Sequence, residues 1–231
     1  MKLLTIDTST TASSVALTDD ERLLGEYTLA GVKGQSANLF DAIEILLAAS
    51  GLRMTDIDGF SVAVGPGAFT GLRCGIAAAK GLSLSTGKPV AGFSSLAMLA
   101  MNLPHAGMPV CPLFDARKNE LYAGLYRMVD GMPEQMMDDA ALSPEALAGR
   151  LTGPTLLLGD GAARYRAQLH ELLGDRAVFA PHFTYTPRAY CGAILARALL
   201  SKTPACDHAT LQPLYLRLSE AELARQSRNT P

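Results

Sequence analysis

The first candidate for chemistry is a short turn that combines an acidic residue with hydroxyls. Asp7, Thr8 and Ser9 follow the apolar run at residues 2–6. Backbone amides at such a tight strand-to-strand turn could reach a phosphate, but the Cβ atoms of Thr8 and Ser9 obstruct an approach that glycine would leave open. A β-turn stabilised by the side-chain hydroxyls explains the same residues at least equally well.

A second candidate lies at residues 65–73, where GPGAFTGLR joins a predicted buried strand to a predicted helix. Gly65 and Gly67 supply unusual dihedral angles, Thr70 can cap the helix, and free amides at a helix start favour an anion. The spacing of the glycines matches neither the Walker nor the Rossmann fingerprint. A rigid turn that lets the helix pack closely on a sheet is therefore favoured over a phosphate site.

A third candidate is LGDGAA at residues 158–163, which is another predicted junction from strand to helix. A lone Gly-x-Gly is nevertheless a weak signal for phosphate binding. The sequence again favours a simple turn.

Catalytic and metal-binding patterns are scarcer still. The four histidines lie in different segments, and none has a metal-ligand partner at helical spacing. Asp115, Arg117 and Glu120 form the most reactive-looking cluster, yet they flank a predicted hairpin turn, where ion pairing and turn capping account for them. The sequence therefore predicts no catalytic residue, no metal site and no cofactor.

Strands and helices must position these segments. Three short runs, at residues 2–7, 13–18 and 22–29, predict consecutive strands in antiparallel hairpins. Capping and periodicity then predict a helix from Gln35 or Ser36 to Ser50 ending at Gly51, a buried strand at 59–65, a helix at 70–86 ending at Gly87, a strand at 89–93, and a helix from Ser94 to about Met101.

The same order begins again after a cluster of Pro and Gly at residues 104–109. Strands are predicted at 109–115, 119–128, 134–138, 155–159 and 177–180, and helices are predicted to start at Ser143-Pro144 and to span 161–173 and 187–200. This repeat of architecture predicts an α/β fold with helices on the faces of mixed sheets. We expect two lobes, residues 1–104 and 105–231, with the last helix able to pack back on the first lobe.

The composition excludes several classes of protein. Charged residues make up only 18% of the chain, and 20 basic against 22 acidic residues leave no basic block for independent nucleic-acid binding. No apolar run approaches the roughly 18 residues of a spanning helix. The four cysteines are far apart, as expected of reduced thiols rather than disulfide or zinc ligands. A cytoplasmic protein without membrane contact is predicted.

Two predicted helices carry apolar or small residues on more than one side. A helix that is apolar nearly all round must be buried nearly all round, so either another subunit or the rest of this chain covers the second side. In the first helix, one stripe is Leu39, Phe40, Ile43, Leu46 and Leu47, and the opposite stripe is Asn38, Ala42, Ile45 and Ala49. In the second, the stripes are Leu72, Ile76 and Ala79, and Cys74, Ala77, Ala78, Gly81 and Ser85.

Two tandem blocks of this order resemble the actin-like ATPase superfamily (ribonuclease H-like fold), whose duplicated lobes flank a nucleotide cleft. Four motifs further resemble the TsaB (YeaZ) family of tRNA threonylcarbamoyladenosine biosynthesis proteins, and they cover essentially the whole chain in order. The motifs are IDTST at residues 6–10, GPGAFTGLRCGIAAAKGLSL at 65–84, FDARKNELYAGLY at 114–126 and LQPLYLR at 211–217.

The resemblance implies a non-catalytic dimerisation subunit of the complex that attaches a threonylcarbamoyl group to the adenosine next to tRNA anticodons. Implied partners are a TsaD-like catalytic subunit, a TsaE-like ATPase, a second copy of the chain through the same helices, and tRNA within the complex only. The metal-binding His pair of the catalytic paralogue has no counterpart here, since residues 35–39 contain no His.

The implied interface lies on the two apolar helices, and the nucleotide site of the superfamily would survive only as a remnant. The alternative is a small ATPase or kinase of the same fold, acting through Asp7, Thr70 and Asp160. The absence of a glycine after Asp7 argues against it. Interface candidates are Asn38, Ala42, Ile45, Ala49, Arg73, Ala77 and Ala78, and remnant nucleotide-binding candidates are Asp7, Thr8, Gly65, Gly67, Thr70 and Gly161.

Overall fold

Two five-stranded mixed sheets organise the chain, whose computed structural model describes residues 1–30, 38–202 and 208–217. The first sheet has the strand order β3-β2-β1-β4-β5, with β1–β2 and β2–β3 antiparallel and β1–β4 and β4–β5 parallel. Its lobe comprises β1 (Lys2–Asp7), β2 (Ala12–Asp19), β3 (Arg22–Ala30), α1 (Leu39–Ser50), β4 (Gly59–Gly65), α2 (Phe69–Thr86), β5 (Val90–Ser94) and α3 (Ser95–Ala100).

The second sheet repeats the first, because its order β8-β7-β6-β9-β10 places each strand where its counterpart lies. The repeat of architecture predicted from the sequence is therefore confirmed. This lobe comprises β6 (Val110–Arg117), β7 (Glu120–Val129), β8 (Met132–Leu142), α4 (Pro144–Arg150), β9 (Thr155–Leu158), α5 (Asp160–Arg164), α6 (Arg166–Leu173), β10 (Ala177–Phe179) and α7 (Ala189–Lys202).

The first sheet is covered on both faces. Successive side chains of a strand point to opposite faces, so Leu4 and Ile6 of β1 pack with α1 and α2, whereas Leu3 packs with α7. Burial on both sides explains why β1 and β4 read as nearly continuous apolar runs. α1 and α2 thus lie on one face of the sheet, with their other sides directed away from it.

Two of the contacts between the lobes involve a carboxylate. In the first contact, α7 lies against the first sheet, and the side chain of Arg188, which directly precedes α7, lies 2.8 Å from the Glu26 carboxylate. In the second contact, Ser94 of the first lobe donates a hydrogen bond of 2.7 Å to Asp139 of β8. Tyr126 of the second lobe donates another hydrogen bond to the same carboxylate. Burial raises the pKa of Asp139.

Four helix ends follow the predicted capping residues, whereas Thr70, predicted to cap α2, lies inside that helix, whose N-cap residue is Ala68. Gly51 and Gly87 adopt the left-handed conformation with φ of 66° and 68° at the C-termini of α1 and α2. The Ser94 and Ser143 hydroxyls accept the amide protons of Ala97 and Ala146, at 3.2 Å each, at the N-termini of α3 and α4.

Most predicted boundaries agree with the structure to within two residues, and three elements need comment. The helix predicted at 161–173 is interrupted at Tyr165, whose backbone leaves helical values and whose side chain is buried in the second lobe. β8 extends over eleven residues rather than the predicted five. α1 begins at Leu39, and the predicted start at Gln35 or Ser36 lies outside the described residues. No helix in the described part of the chain is long and apolar enough to cross a membrane.

Candidate functional site

A cleft of about 710 Å³ lies between the two lobes, and segments from all four sequence motifs form its walls. The turn after β1 and the start of α2 line it from the first lobe, and the turn between β6 and β7 lines it from the second. The C-terminal residues 214–217 close a further side. Segments far apart in the sequence thus converge on one concave surface.

The start of α2 packs directly on the turn after β1. The Ala68 amide donates a hydrogen bond of 2.6 Å to the Ser9 carbonyl, and the Thr8 hydroxyl donates one of 2.7 Å to the Gly71 carbonyl. A Cβ atom at Gly67 or Gly71 would lie 2.2 Å or 2.0 Å from a backbone carbonyl oxygen of that turn. The packing role predicted for the glycine-rich segment is therefore confirmed, and the turn after β1 covers part of the helix start.

Of the six remnant nucleotide-binding candidates, the structure places only Gly67 in the wall of the cleft. Asp7, Thr8 and Gly65 are buried behind it, and Thr70 is exposed outside it. A Cβ at Gly161 would lie 2.7 Å from Leu121 and 2.9 Å from Phe114, so this glycine serves the packing of α5 on β6. The set predicted from the sequence does not come together around one ligand position.

Asp7 is fully buried at the end of β1. Burial raises the pKa of its carboxyl to about 6, and Ser9, whose amide lies 2.9 Å from Oδ1, opposes part of that rise. No charged side chain contributes to the shift. The carboxyl therefore stabilises the turn rather than presenting a charge to the cleft.

The turn between β6 and β7 carries the cluster that the sequence assigned to turn capping and ion pairing. Arg117, Lys118 and Asn119 all have positive φ, between 51° and 64°. Asp115 accepts the Arg117 amide at 2.9 Å, and its carboxylate lies 3.5 Å from Arg164. That prediction is confirmed, since these contacts fix an otherwise unfavourable backbone.

Asp160 meets the same turn from the start of α5. Its carboxylate accepts the Asp115 amide at 3.2 Å and lines the cleft. Burial raises the pKa of Asp160, and the hydrogen bond from the Asp115 amide lowers it in part. No group of three or more His, Cys, Asp or Glu side chains in the described ranges is arranged to hold a metal ion.

Residues 211–217, hereafter the strap, cross from the first lobe to the second. Leu211 is buried in the core of the first lobe, and the Leu214 amide donates a hydrogen bond of 2.8 Å to Val64 of β4. At the other end, Arg217 lies 3.2 Å from both the Ala116 carbonyl and the Glu120 carboxylate. The strap therefore bridges the lobes beside the cleft.

A second candidate surface is the outer side of α1 and α2. Phe40 and Ile45 of α1 are 54% and 53% exposed, and Leu84 of α2 is 69% exposed. Water around such large apolar side chains is unfavourable, and a cluster of them marks a contact surface. Asn38, Ala49, Arg73 and Ala77 are also exposed on these helices. We call this surface the α1/α2 face.

Three assignments from the helical wheels need correction. Ala42 and Ala78, predicted to face a partner, are 4% and 8% exposed because they pack in the core of the first lobe. Phe40, predicted to pack on the sheet, points outward instead. A wheel gives the angular position of a residue, but the breadth of the sheet and its neighbours decides how far burial extends around the helix.

Sequence reasoning missed the aromatic cluster beside the cleft. The Phe69 and Tyr215 rings stack with centroids 4.8 Å apart, and the Arg73 guanidinium lies 3.7 Å from the Phe69 centroid. The Arg73 Nε atom donates a hydrogen bond of 2.7 Å to the Tyr215 hydroxyl. The only available signal was that Arg73 lies in the motif at residues 65–84 and that Tyr215, 142 residues later, lies in the motif at residues 211–217.

Comparison with known proteins shows similarity along nearly the whole chain. A family model described as TsaD, tRNA N6-adenosine threonylcarbamoyltransferase, matches residues 31–225. The tRNA threonylcarbamoyladenosine biosynthesis protein TsaB of Bacillus subtilis is 32% identical over 225 residues, which cover 96% of each chain. TsaB of Escherichia coli is 31% identical over 226 residues, covering 94% of this chain and 95% of the relative.

A solved structure shows the same architecture. It is that of a Pseudomonas aeruginosa protein described as similar to the peptidase YeaZ, and it superposes with a TM-score of 0.80 at 28% identity. The match covers 94% of this chain and 99% of the other. The fold is thus the two-lobed arrangement predicted from the order of the elements.

Proposed function

The chain belongs to the TsaB family, and from this premise we propose that it is the non-catalytic subunit that binds and activates a TsaD-like catalytic subunit. The assembly attaches a threonylcarbamoyl group to the adenosine next to the anticodon of tRNAs that read codons beginning with A. Its relatives are named for the biosynthesis of threonylcarbamoyladenosine in tRNA.

The observation that carries the proposal is the α1/α2 face. Phe40, Ile45 and Leu84 are large apolar side chains that are each more than half exposed on these two helices, as expected of a contact surface. The small side chains of Ala49 and Ala77 lie on the same helices and allow close approach of another backbone. A partner helix pair would bury this surface.

The non-catalytic role is supported by the way the first lobe fills its own cleft wall. The Thr8 and Ser9 carbonyls lie against the start of α2, and the Ala68 amide is already bonded to Ser9. A phosphate would have to displace this backbone contact to reach the helix N-terminus. The chain therefore supplies a scaffold rather than the reacting groups.

Further parts of the proposal concern the assembly. A second copy of the chain competes for the α1/α2 face when the catalytic subunit is absent, giving a homodimer. A TsaE-like ATPase and tRNA join only the assembled complex, since the net charge of −2 provides little attraction for tRNA alone. The complex would work in the cytoplasm.

Reconstitution of tRNA modification tests the proposal. We expect modification by the catalytic partner and ATPase to require this chain, and we expect the two subunits to co-elute in size-exclusion chromatography. The double variant Ile45→Arg/Ala77→Arg should abolish both co-elution and modification while leaving the monomer folded, because both residues are exposed.

The matched control is Met136→Arg, which places the same charge at a 46% exposed apolar position of the second lobe. It should co-elute and support modification like the wild type. If the double variant still co-eluted with the catalytic subunit, the α1/α2 face would not be the interface. Full modification without the chain would overturn the function itself.

A further inference from the structure

Arg73 lies where the α1/α2 face meets the cleft. It is exposed in the second turn of α2 and lies on the same side as Ala77, one turn later, and Leu84, three turns later. It also lines the interlobe cleft. The side chain therefore belongs to the edge of the surface that a partner would cover.

The guanidinium of Arg73 is held in a fixed position. Its Nε atom donates to the Tyr215 hydroxyl at 2.7 Å, and its carbon atom lies 3.7 Å from the centroid of the Phe69 ring. Arg73 forms no ion pair with a carboxylate of the described residues. The hydrogen bond to Tyr215 uses only the Nε atom, so the two terminal nitrogens are not engaged by it.

Tyr215 is itself fixed from two directions by the strap. One residue before it, the Leu214 amide is bonded to Val64 of the first lobe, and two residues after it, Arg217 is paired with Glu120 of the second. The Tyr215 ring also stacks on Phe69 with an interplanar angle of 26°. The hydroxyl that receives Arg73 therefore has little freedom to move.

An arginine held in this way binds a carboxylate at low entropic cost. The free side chain carries several rotatable bonds whose freedom is otherwise lost on binding. The planar fork can donate parallel hydrogen bonds to both oxygens of a carboxylate. Arginine is also one of the three residue types enriched among the side chains that dominate binding energy at protein interfaces.

We propose that the strap is a positioning element of the α1/α2 face, in which Tyr215 orients Arg73 to bind a carboxylate side chain of the catalytic partner. The inference rests on the proposed function, since it assigns the chemistry of one contact within that interface. Tyr215 acts through Arg73 and is a positioning residue. The C-terminal motif and the motif at residues 65–84 thus serve one interface.

A double-mutant cycle on association tests the inference. The affinity for the purified TsaD-like subunit is measured by isothermal titration calorimetry for the wild type, Tyr215→Phe, Arg73→Ala and the double variant. We expect Tyr215→Phe to weaken binding about 3- to 10-fold, as for loss of one hydrogen bond. Arg73→Ala should weaken it about 10- to 100-fold. The double variant should match Arg73→Ala, because the tyrosine acts only through the arginine.

Tyr190→Phe is the matched control. It removes a hydroxyl that donates a hydrogen bond of 2.9 Å to the Glu21 carbonyl, beside a neighbouring arginine, on α7 at the opposite face of the sheet. It should bind the partner like the wild type. Tyr215→Phe keeps the ring that stacks on Phe69, so its thermal midpoint should stay near that of the wild type, and near-UV circular dichroism confirms that it is folded.

Each possible result of the double-mutant cycle supports or contradicts the proposed role of Tyr215 and Arg73. The positioning role would be overturned if the losses in the cycle were additive, or if Tyr215→Phe bound as tightly as the wild type. Binding of the partner by the wild type would still support the proposed function in that case. If Arg73→Ala bound the partner as tightly as the wild type, Arg73 would make no carboxylate contact that contributes to binding. Absence of any wild-type binding would overturn both the inference and the proposed function.

Discussion

At the scale of single residues, Asp7 shows how a carboxyl can be retained without meeting solvent. It lies at the end of β1, fully buried, with the Ser9 amide as its hydrogen-bond donor. Burial raises the pKa of this carboxyl to about 6. The ionised form is therefore less favourable in the folded chain than in the unfolded chain.

Substitution of Asp7 should change how stability depends on pH. Between pH 3.8, where the unfolded carboxyl titrates, and about 6, where the folded one does, the folded state holds more protons. Raising the pH through this window therefore favours unfolding. Between pH 4 and pH 7.5 the free energy of unfolding of the wild type should fall by about 2 kcal/mol relative to that of Asp7→Asn. Urea unfolding of both proteins at several pH values measures this, and a difference independent of pH would contradict it.

At the scale of the elements, α2 is positioned by glycines that face the turn after β1. Cβ atoms added at Gly67 and Gly71 would meet backbone carbonyl oxygens, and one at Gly75 would lie 2.4 Å from the Thr8 hydroxyl. A backbone carbonyl oxygen cannot move away from an added Cβ atom as easily as the end of a flexible side chain can. The close approach of helix and turn therefore depends on these positions lacking a side chain.

Two alanine substitutions in α2 should have opposite effects. Gly71→Ala places a Cβ 2.0 Å from the Thr8 carbonyl oxygen, so it should lower the free energy of unfolding by about 1–3 kcal/mol or more. Gly81→Ala meets nothing within 4 Å and should raise it by about 0.5–1 kcal/mol, as expected for a helix interior. Urea unfolding of the isolated chain compares them. Equal stability of Gly71→Ala and the wild type would show that the turn can move away.

At the scale of the whole molecule, the repeat of architecture produces a cleft between the two lobes. The two sheets have the same strand order, and the cleft between them is lined by Arg73, Arg117 and Arg217 together with two carboxylates. On the first-lobe side, the Ser9 carbonyl and the Ala68 amide satisfy each other. The amides that would hold a phosphate are thereby partly occupied.

Titration with ATP separates the proposed function from the alternative of a small ATPase. We expect no saturable binding of ATP with Mg²⁺ to the isolated chain at concentrations up to about 1 mM, and no hydrolysis. Isothermal titration calorimetry and a phosphate-release assay measure the two quantities. Micromolar affinity with turnover would favour the alternative and overturn the assignment as a non-catalytic subunit.

Much of the architecture could be predicted from the sequence because it depends on local patterns. Apolar runs bounded by turn residues gave the strands, and Gly51 and Gly87 marked the ends of α1 and α2 because only glycine adopts positive φ there without strain. Tyr165 shows the limit of such patterns. Its side chain is buried in the second lobe and its backbone leaves helical values, and the local pattern of residues 161–173 indicates neither.

The candidate sites were predictable to different degrees. Periodicity located the α1/α2 face on the correct helices, and the turn roles of Asp115 and Arg117 followed from the hairpin. Ala42 and Ile45 show what periodicity could not decide, since both belong to one stripe but only Ile45 is exposed. The neighbours of a helix set that difference, and a single-element pattern contains no information about them.

By itself, the sequence determined the element order, the duplicated α/β architecture and the family, because these follow from local spacing and from motifs read along the chain. The tertiary structure alone decided which residues of the two helices reach the surface, and that Arg73 meets Tyr215 from 142 positions away. Such contacts arise when sheets and helices pack, and packing depends on the shapes of all the surrounding side chains at once.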